Sequence, residues 1–417
     1  MRIRILPFVF LLFVIAQLDR NNIGFAALMM NRELAITSQQ YGLVFGIFFF
    51  GYFLFEIPSN LLLHRMGARV WIARILVSWG IVAMLTGFAQ NVSQLCAARF
   101  LLGLAEAGYF PGIVLYLTYW FPQREQARSF ALLVAATPVM AILGSPVSGL
   151  ILDHVHWLGV SSWRWLLILE GMPAVVAGVL TYFLLPNRPQ QAAFLTADEK
   201  VRIQAELGRE ERQKLEQRQY SVLQALASGR VWHLVLIYFG MMIGWYALQS
   251  WTPQLVKSLS SPYSNSMIGL LVAIPHIVGL AAMIFVSRSS DRALERRYHV
   301  AIPATVAGIA FVLLGTTSSV FFSVALLCLV AAGVYSILGP LWTLPSEFLT
   351  GFAAAAGIAL INSVGNLGGF AGPYIIGAIS MRTGNLYAGL AIAGVSLFIS
   401  ATFVLLLPRK APTPMQY

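Results

Sequence analysis

The stretch Phe8-Val-Phe-Leu-Leu-Phe-Val-Ile-Ala-Gln-Leu18-Asp19-Arg20-Asn21-Asn22-Ile-Gly-Phe-Ala-Ala-Leu-Met-Met30 is apolar, turns polar at Asp19–Asn22, and is apolar again. It is long enough to cross a bilayer, which takes about 20 residues. A charge at membrane depth costs about 2.5–3.5 kcal/mol on insertion scales, so such residues face a bundle interior or a wet cavity. The basic start, Arg2 and Arg4, followed by an apolar run resembles a leader peptide. No A-x-A site stands near Ala16, and the apolar character resumes past Asn22, so the segment reads as a first span.

Three further charges interrupt apolar stretches: Glu56, Arg99 and Glu106. With Asp19 and Arg20 they all fall in roughly the first quarter of the chain. The remainder fits the same class. Of 417 residues, 58% are hydrophobic and 10% charged, with mean hydropathy +0.76. Soluble domains carry about 25% charged residues. A net charge of +11 would suit nucleic acid, but no stacking aromatics alternate with a basic stripe outside the apolar segments. Cys96 and Cys328 lie far apart in or beside apolar spans and frame neither a disulfide nor a metal site.

Twelve spans are expected, near 5–30, 40–63, 71–90, 95–118, 128–152 and 163–186, then 231–256, 266–287, 298–318, 320–344, 354–380 and 387–408. With both termini cytoplasmic, 21 Lys and Arg fall on the inner side and Arg32, Arg164, Lys257 and Arg382 on the outer. That bias sets the orientation. The chain divides into a six-helix half over 1–186, a charged cytoplasmic linker over 187–230 and a second six-helix half over 231–417. Thr196-Ala-Asp-Glu199 has capping-box spacing and starts a short linker helix. Its short apolar face of Val201, Ile203 and Leu207 suits the membrane surface or the bundle, and a solvated linker joining the two halves is the favoured reading.

The halves repeat. Arg65 and Arg292, Arg69 and Arg296, and Pro146 and Pro373 are each 227 positions apart. Repeated six-helix halves describe alternating access around a site between them at midplane depth.

The residues themselves resemble a known family. Leu18-Asp19-Arg20-Asn21-Asn22-Ile-Gly-Phe-Ala26 is similar to the first-helix signature of the anion:cation symporter family of the major facilitator superfamily. Gly51-Tyr-Phe-Leu-Phe-Glu56-Ile-Pro-Ser-Asn60 through Arg65-Met-Gly-Ala-Arg69, Arg99-Phe-Leu-Leu-Gly103-Leu-Ala-Glu106, Tyr119-Trp-Phe-Pro122, Trp251-Thr-Pro-Gln254 and Asn362-Ser-Val-Gly-Asn366 through Pro373 continue it. The likeness runs nearly end to end and points to the tartrate-transporter branch. It implies proton symport of an organic carboxylate, with Asp19 and Glu106 as proton carriers and Arg20 as the substrate's counter-charge. The family's loop motif sets an acid before its basic pair. Asp291 keeps it before Arg292, whereas Asn60-Leu-Leu-Leu-His64 replaces it before Arg65 and Arg69.

Helical geometry refines the roles. Asp19 and Asn22 share a face, and Arg20 points about 100° away into a neighbouring part of the same cavity. Asp19 beside Arg20 is a candidate proton switch, because a buried Arg fits carboxylates. Arg99, Gly103 and Glu106 form one stripe. Arg99 reads either as a substrate ligand or as the ion-pair partner of Glu106 or Glu56. Tyr52 pairs with Glu56 at i, i+4, and Glu56 reads as structural. Glu170 and Arg164 read as interfacial. The second half has no midspan charge and offers Tyr246, Gln249, Trp342, Asn362 and Asn366 for substrate hydroxyls. Trp245, Trp251 and Trp342 equally suit an interfacial belt.

The expected function is therefore proton-coupled import of tartrate or a sugar-acid-like anion across a bacterial inner membrane. The partners are a small organic anion, protons and the lipid bilayer, with no nucleic acid and no cofactor, in a chain that works as a monomer. A sodium-coupled or facilitative carrier of aromatic carboxylates, such as phthalate or hydroxyphenylacetate, is the alternative. An integral-membrane enzyme is disfavoured, because the six His residues lack ligand spacing and sit mostly at span ends, His276 excepted.

Overall fold

The computed structural model describes residues 2–216, 227–260, 262–345 and 351–407, and these residues form helices and no strands. The first half comprises α1 (Arg2–Glu33), α2 (Ser38–Met66), α3 (Ala68–Thr86), α4 (Val92–Glu106), α5 (Tyr109–Thr118), α6 (Gln123–His154) and α7 (Ser162–Leu184). The connecting helix is α8 (Ala197–Glu216). The second half comprises α9 (Gly229–Leu259), α10 (Asn265–Ala293), α11 (Arg297–Leu313), α12 (Val320–Thr343), α13 (Gly351–Asn366), α14 (Gly368–Thr383) and α15 (Leu386–Leu405). Eleven described helical segments are long and apolar enough to cross a membrane. Large apolar side chains such as Phe183, Phe285 and Phe321 point outward, as lipid-facing residues do.

Two expected spans are each built from two helices. The span expected at 95–118 breaks at Ala107 and Gly108, where Gly108 takes φ +81° against the Ser59 side chain. Its left-handed backbone favours glycine. The span expected at 354–380 breaks at Leu367, followed by Gly368 and Gly369. Each resulting piece, α13 and α14, is 16 residues long.

Helix starts follow local chemistry. Thr37 and Gln40 form a capping box on α2. Thr196 and Glu199 do the same for α8, with Glu199 N to Thr196 Oγ1 at 3.3 Å and Thr196 N to Glu199 Oε2 at 2.9 Å. On α8, Val201 is exposed, and Ile203 packs on the core. Residues 217–226 of the expected linker lie outside the described residues.

The halves meet along two main seams, α2 with α14 and α6 with α10. Glycines let backbones touch there. A methyl added at Gly42 would lie 2.2 Å from the Pro373 carbonyl oxygen, and one at Gly269 would lie 2.3 Å from that of Ser145. Asp153 of α6 locks the second seam by capping α10. Its Oδ1 accepts from Asn265 N at 3.1 Å, and its Oδ2 accepts from Ser266 N at 2.7 Å and Ser266 Oγ at 2.6 Å. Tyr41 Oη donates to the Ser250 carbonyl at 2.8 Å, and Gln39 Nε2 to Tyr374 Oη at 3.0 Å. All these contacts gather at the end that carries the α1–α2, α6–α7, α9–α10 and α14–α15 connections. This is the sealed end.

At the opposite end, Arg69 donates through Nε to the Leu185 carbonyl at 2.6 Å, and its backbone N–H to Asn187 Oδ1 at 2.8 Å. Backbone and amide oxygens thus occupy Arg69 where the family motif has an acid. In the second copy, Arg296 Nη1 pairs with Asp291 Oδ1 at 2.7 Å. Arg65 and Arg292 are exposed.

Candidate functional site

A cavity of about 110 Å³ lies between the halves, lined among others by Arg20, Tyr52, Tyr246, Gln249, Trp342, Asn362 and Asn366. The first half supplies the cation together with Gln17, Asn21, Tyr52 and Thr137, and the second half lines the cavity with uncharged groups only. Glycine makes the crossing of α1 and α9 possible: a methyl at Gly24 would sit 3.1 Å from the Gln249 carbonyl oxygen.

Arg20 is paired with Glu106. Its Nε donates to Glu106 Oε1 at 2.6 Å; the arginine side chain is 19% exposed and the glutamate 1%. The guanidinium lies 5.3 Å from the Tyr52 ring centroid and 5.6 Å from that of Phe48, within cation–π range. The ion pair is therefore sealed on the glutamate side and open to the cavity on the arginine side.

Asp19 does not pair with Arg20. Asp19 Oδ1 accepts from Asn22 Nδ2 at 3.2 Å, and Oδ2 accepts from Trp79 Nε1. Consecutive helical residues diverge by about 100°, so Asp19 turns into the first half while Arg20 reaches the cavity. Asn22, expected to bind substrate, holds Asp19 and borders a smaller cavity of about 20 Å³.

Arg99 forms no ion pair with Glu106 or Glu56 among the described residues. It is 2% exposed, its Nε has no partner, and its guanidinium lies 5.1 Å from the Phe48 ring centroid. It is outside the main cavity, among the charges of Glu106, Asp19 and Arg20. Phe48 thus carries both guanidinium groups on its ring.

Glu56 reaches across the halves. Its Oε1 accepts from Asn362 Nδ2 at 3.1 Å and its Oε2 from Ser363 Oγ at 2.6 Å, while Asn366 Nδ2 donates to Asn362 Oδ1 at 3.1 Å. Glu106 ends α4 and Asn366 ends α13. Both broken spans therefore place a polar site residue at the break, as discontinuous transporter helices do.

Other expectations are corrected. Glu170 is buried inside the bundle, two turns into α7, at 2% exposure, whereas Arg164 stays at the start of α7 but is covered, at 8%. Glu170 accepts from Ser148, and Arg164 is tied to Glu33 and to the carbonyls of Gly87 and Ala89. Trp245 and Trp251 are buried rather than in a belt, and Trp342 lines the cavity. His276 is buried against Tyr335, its Nδ1 2.8 Å from the phenol oxygen. The sequence reading missed Trp79, Ser363 and Gln17; only Gln17, three residues before Arg20 on the same helix, carried a signal.

The model of the Major Facilitator Superfamily matches residues 9–373. A protein of Agrobacterium vitis named “Putative tartrate transporter” is 45% identical over 98% of this chain and 94% of its own. The inner membrane transport protein RhmT of Escherichia coli is 37% identical over 90% of this chain and 86% of its own. Among solved structures, a D-xylose-proton symporter superposes with TM-score 0.77 at 16% identity, covering 96% of this chain and 97% of that one. A bacterial homolog of the human lysosomal transporter Spinster does so with TM-score 0.76 at 16% identity, covering 97% and 96%. Like its relatives, this multi-pass inner-membrane protein is a transporter rather than an enzyme. Helices, seams and relatives agree, and the chain belongs to the Major Facilitator Superfamily.

Proposed function

We propose that the protein imports an organic carboxylate by proton symport, with tartrate or a similar hydroxy acid as cargo. The observation that carries this reading is the Arg20–Glu106 pair, buried on one side and opening onto the cavity on the other. A carboxylate entering the cavity competes with Glu106 for the guanidinium fork. Glu106, once displaced, is a buried carboxylate without its cation, and uncompensated burial of charge is costly. Taking up a proton relieves that cost, so substrate and proton travel together. Asp19, held by Trp79 and Asn22, is the second proton carrier in the same half.

The second half recognises the rest of the substrate. Gln249, Asn362, Asn366 and Trp342 offer donors and acceptors for hydroxyl groups. Asn362 also bonds Glu56, so an occupant that takes Asn362 loosens a link between the halves. The basic excess supports an orientation with the sealed end outside, and the two six-helix halves then rock about the cavity.

A second reading, an aromatic carboxylate, is favoured by Phe45, Phe49, Tyr52 and Tyr246 around the cavity. Thermal shift of the purified protein over hydroxy and aromatic acids separates the two. Selective stabilisation by tartrate and sugar acids is expected. Stabilisation by phthalate alone favours the second reading, and by neutral compounds alone refutes the role of Arg20. Uptake into proteoliposomes with and without sodium tests the coupling ion.

A further inference from the structure

Glu170 is a buried carboxyl that the scheme above does not use. It lies on α7 at 2% exposure. Its Oε1 accepts from Ser148 Oγ at 2.6 Å, and its Oε2 has no partner. No cation pairs with it among the described residues. Arg164 on the same helix is committed to Glu33 at 3.2 Å and to the carbonyls of Gly87 and Ala89 at 2.9 and 2.7 Å. On the neighbouring α3, Arg69 is held by the Leu185 carbonyl, and Arg74 lies 4.0 Å from the Trp71 ring centroid. From α6 the facing group is the Ser148 hydroxyl, and from α1 it is Asp19, the charge that acts on Glu170.

Ser148 connects this carboxyl to a second space. The cavity of about 20 Å³ is bordered by Ser148, Ser145, Asn22, Gln249 and His276. That volume takes one water molecule, provided polar partners surround it. Asn22 Oδ1 is unpartnered, while Asn22 Nδ2 holds Asp19 at 3.2 Å. The route runs Glu170, Ser148, cavity, Asn22, Asp19: polar groups stand at both ends, and Leu18, Phe25, Met140, Leu248 and Val272 complete the cavity wall between them. It lies directly beneath the α6–α10 seam. The Ser145 carbonyl is the group that presses on Gly269, and Gly149, next to Ser148, presses on the Asn265 carbonyl. Parting that seam uncovers Ser148 and the cavity.

We infer that Glu170 is a further proton-binding carboxyl of the transport cycle, coupled to Asp19 and loaded from the sealed end through Ser148. This rests on the proton-symport reading. In the loading step, the Ser148 hydroxyl gives its proton to Glu170 Oε1 and takes one from the cavity water, which regains one from solution. One O–H bond is gained at Glu170, and one proton is lost from the outside. Asp19 and Glu170 then titrate as a linked pair.

The test is pH-difference infrared spectroscopy of the purified, substrate-free protein, following the carbonyl bands of protonated carboxyls. Asp19→Asn identifies the Asp19 band. Glu170→Gln, which keeps the shape and an acceptor for Ser148, is expected to remove a second band and to move the Asp19 midpoint by about 1 pH unit. Ser148→Ala is expected to keep both bands and move the Glu170 midpoint. If Asp19→Asn removes a band but Glu170→Gln changes neither bands nor midpoint, the assignment of Glu170 is overturned and the proton-symport reading stands. If Asp19→Asn and Glu106→Gln remove no band, that reading itself fails. A Glu170→Gln protein that only melts earlier, with an unaltered spectrum, marks Glu170 as structural and overturns the inference.

Discussion

Gly42 and Gly269 are 227 positions apart and make the same contact. Gly42 presses on the carbonyl of Pro373, and Gly269 presses on the Ser145–Pro146 backbone. Pro146 and Pro373 are also separated by 227. The second span of each half therefore closes on the fifth span of the other, and both closures sit at the sealed end. A repeat written in the sequence reappears as a pair of equivalent seams.

Equivalence makes a prediction. Gly42→Leu and Gly269→Leu each place a side chain where even a methyl meets backbone oxygen at 2.2–2.3 Å. Both are expected to hold the sealed end apart, cut uptake, and raise labelling of a cysteine at Gln249 by an impermeant thiol reagent added outside. Labelling of that cysteine unchanged from the parent in both variants would contradict the closure described.

Asp153 caps α10 from the opposite half with both oxygens. Loss of a helix cap costs about 0.5–2 kcal/mol. Asp153→Ala is expected to weaken the seam by that amount. Uptake should slow while substrate affinity, measured by thermal shift, stays within about twofold, since 0.4 kcal/mol is roughly a factor of two.

Arg20→Lys keeps the charge and loses the planar fork. Substrate affinity is expected to fall about 10–100-fold, the equivalent of about 1.4–2.8 kcal/mol. A carboxylate panel measured by thermal shift checks it, and a neutral analogue should be unaffected.

Glu56→Gln weakens two hydrogen bonds to the other half. Bonds to a charged acceptor are worth about 1.5–3 kcal/mol each. Accessibility of the cavity from the end opposite the seal is expected to rise, read by thiol labelling in inverted vesicles. Asn362→Ala should act in the same direction and also weaken binding of a hydroxy acid.

The helices were legible because an apolar run of bilayer length has few other readings. The charge partners were not. Asp19 and Arg20 are adjacent in sequence but diverge on the helix, and their partners, Trp79 and Glu106, come from α3 and α4. Nothing in α7 alone says that Ser148 covers Glu170, so a carboxyl near a span end read as interfacial. The breaks at Gly108 and Leu367 were hidden for a related reason. Glycine and proline are common in packed membrane helices, and only the close approach of Ser59 to Gly108 shows which glycine had to be there. The polar residues of the second half were legible as a set, because Asn362 and Asn366 share one helical face.

Tartrate accumulation in sodium-free proteoliposomes under an imposed pH gradient tests the central claim most directly. The wild-type protein should concentrate tartrate above equilibrium and lose the gradient when a protonophore is added. Asp19→Asn and Glu106→Gln should abolish accumulation while tartrate exchange partly survives. Normal accumulation by both variants, or a wild-type requirement for sodium, would contradict proton coupling through this pair of carboxyls.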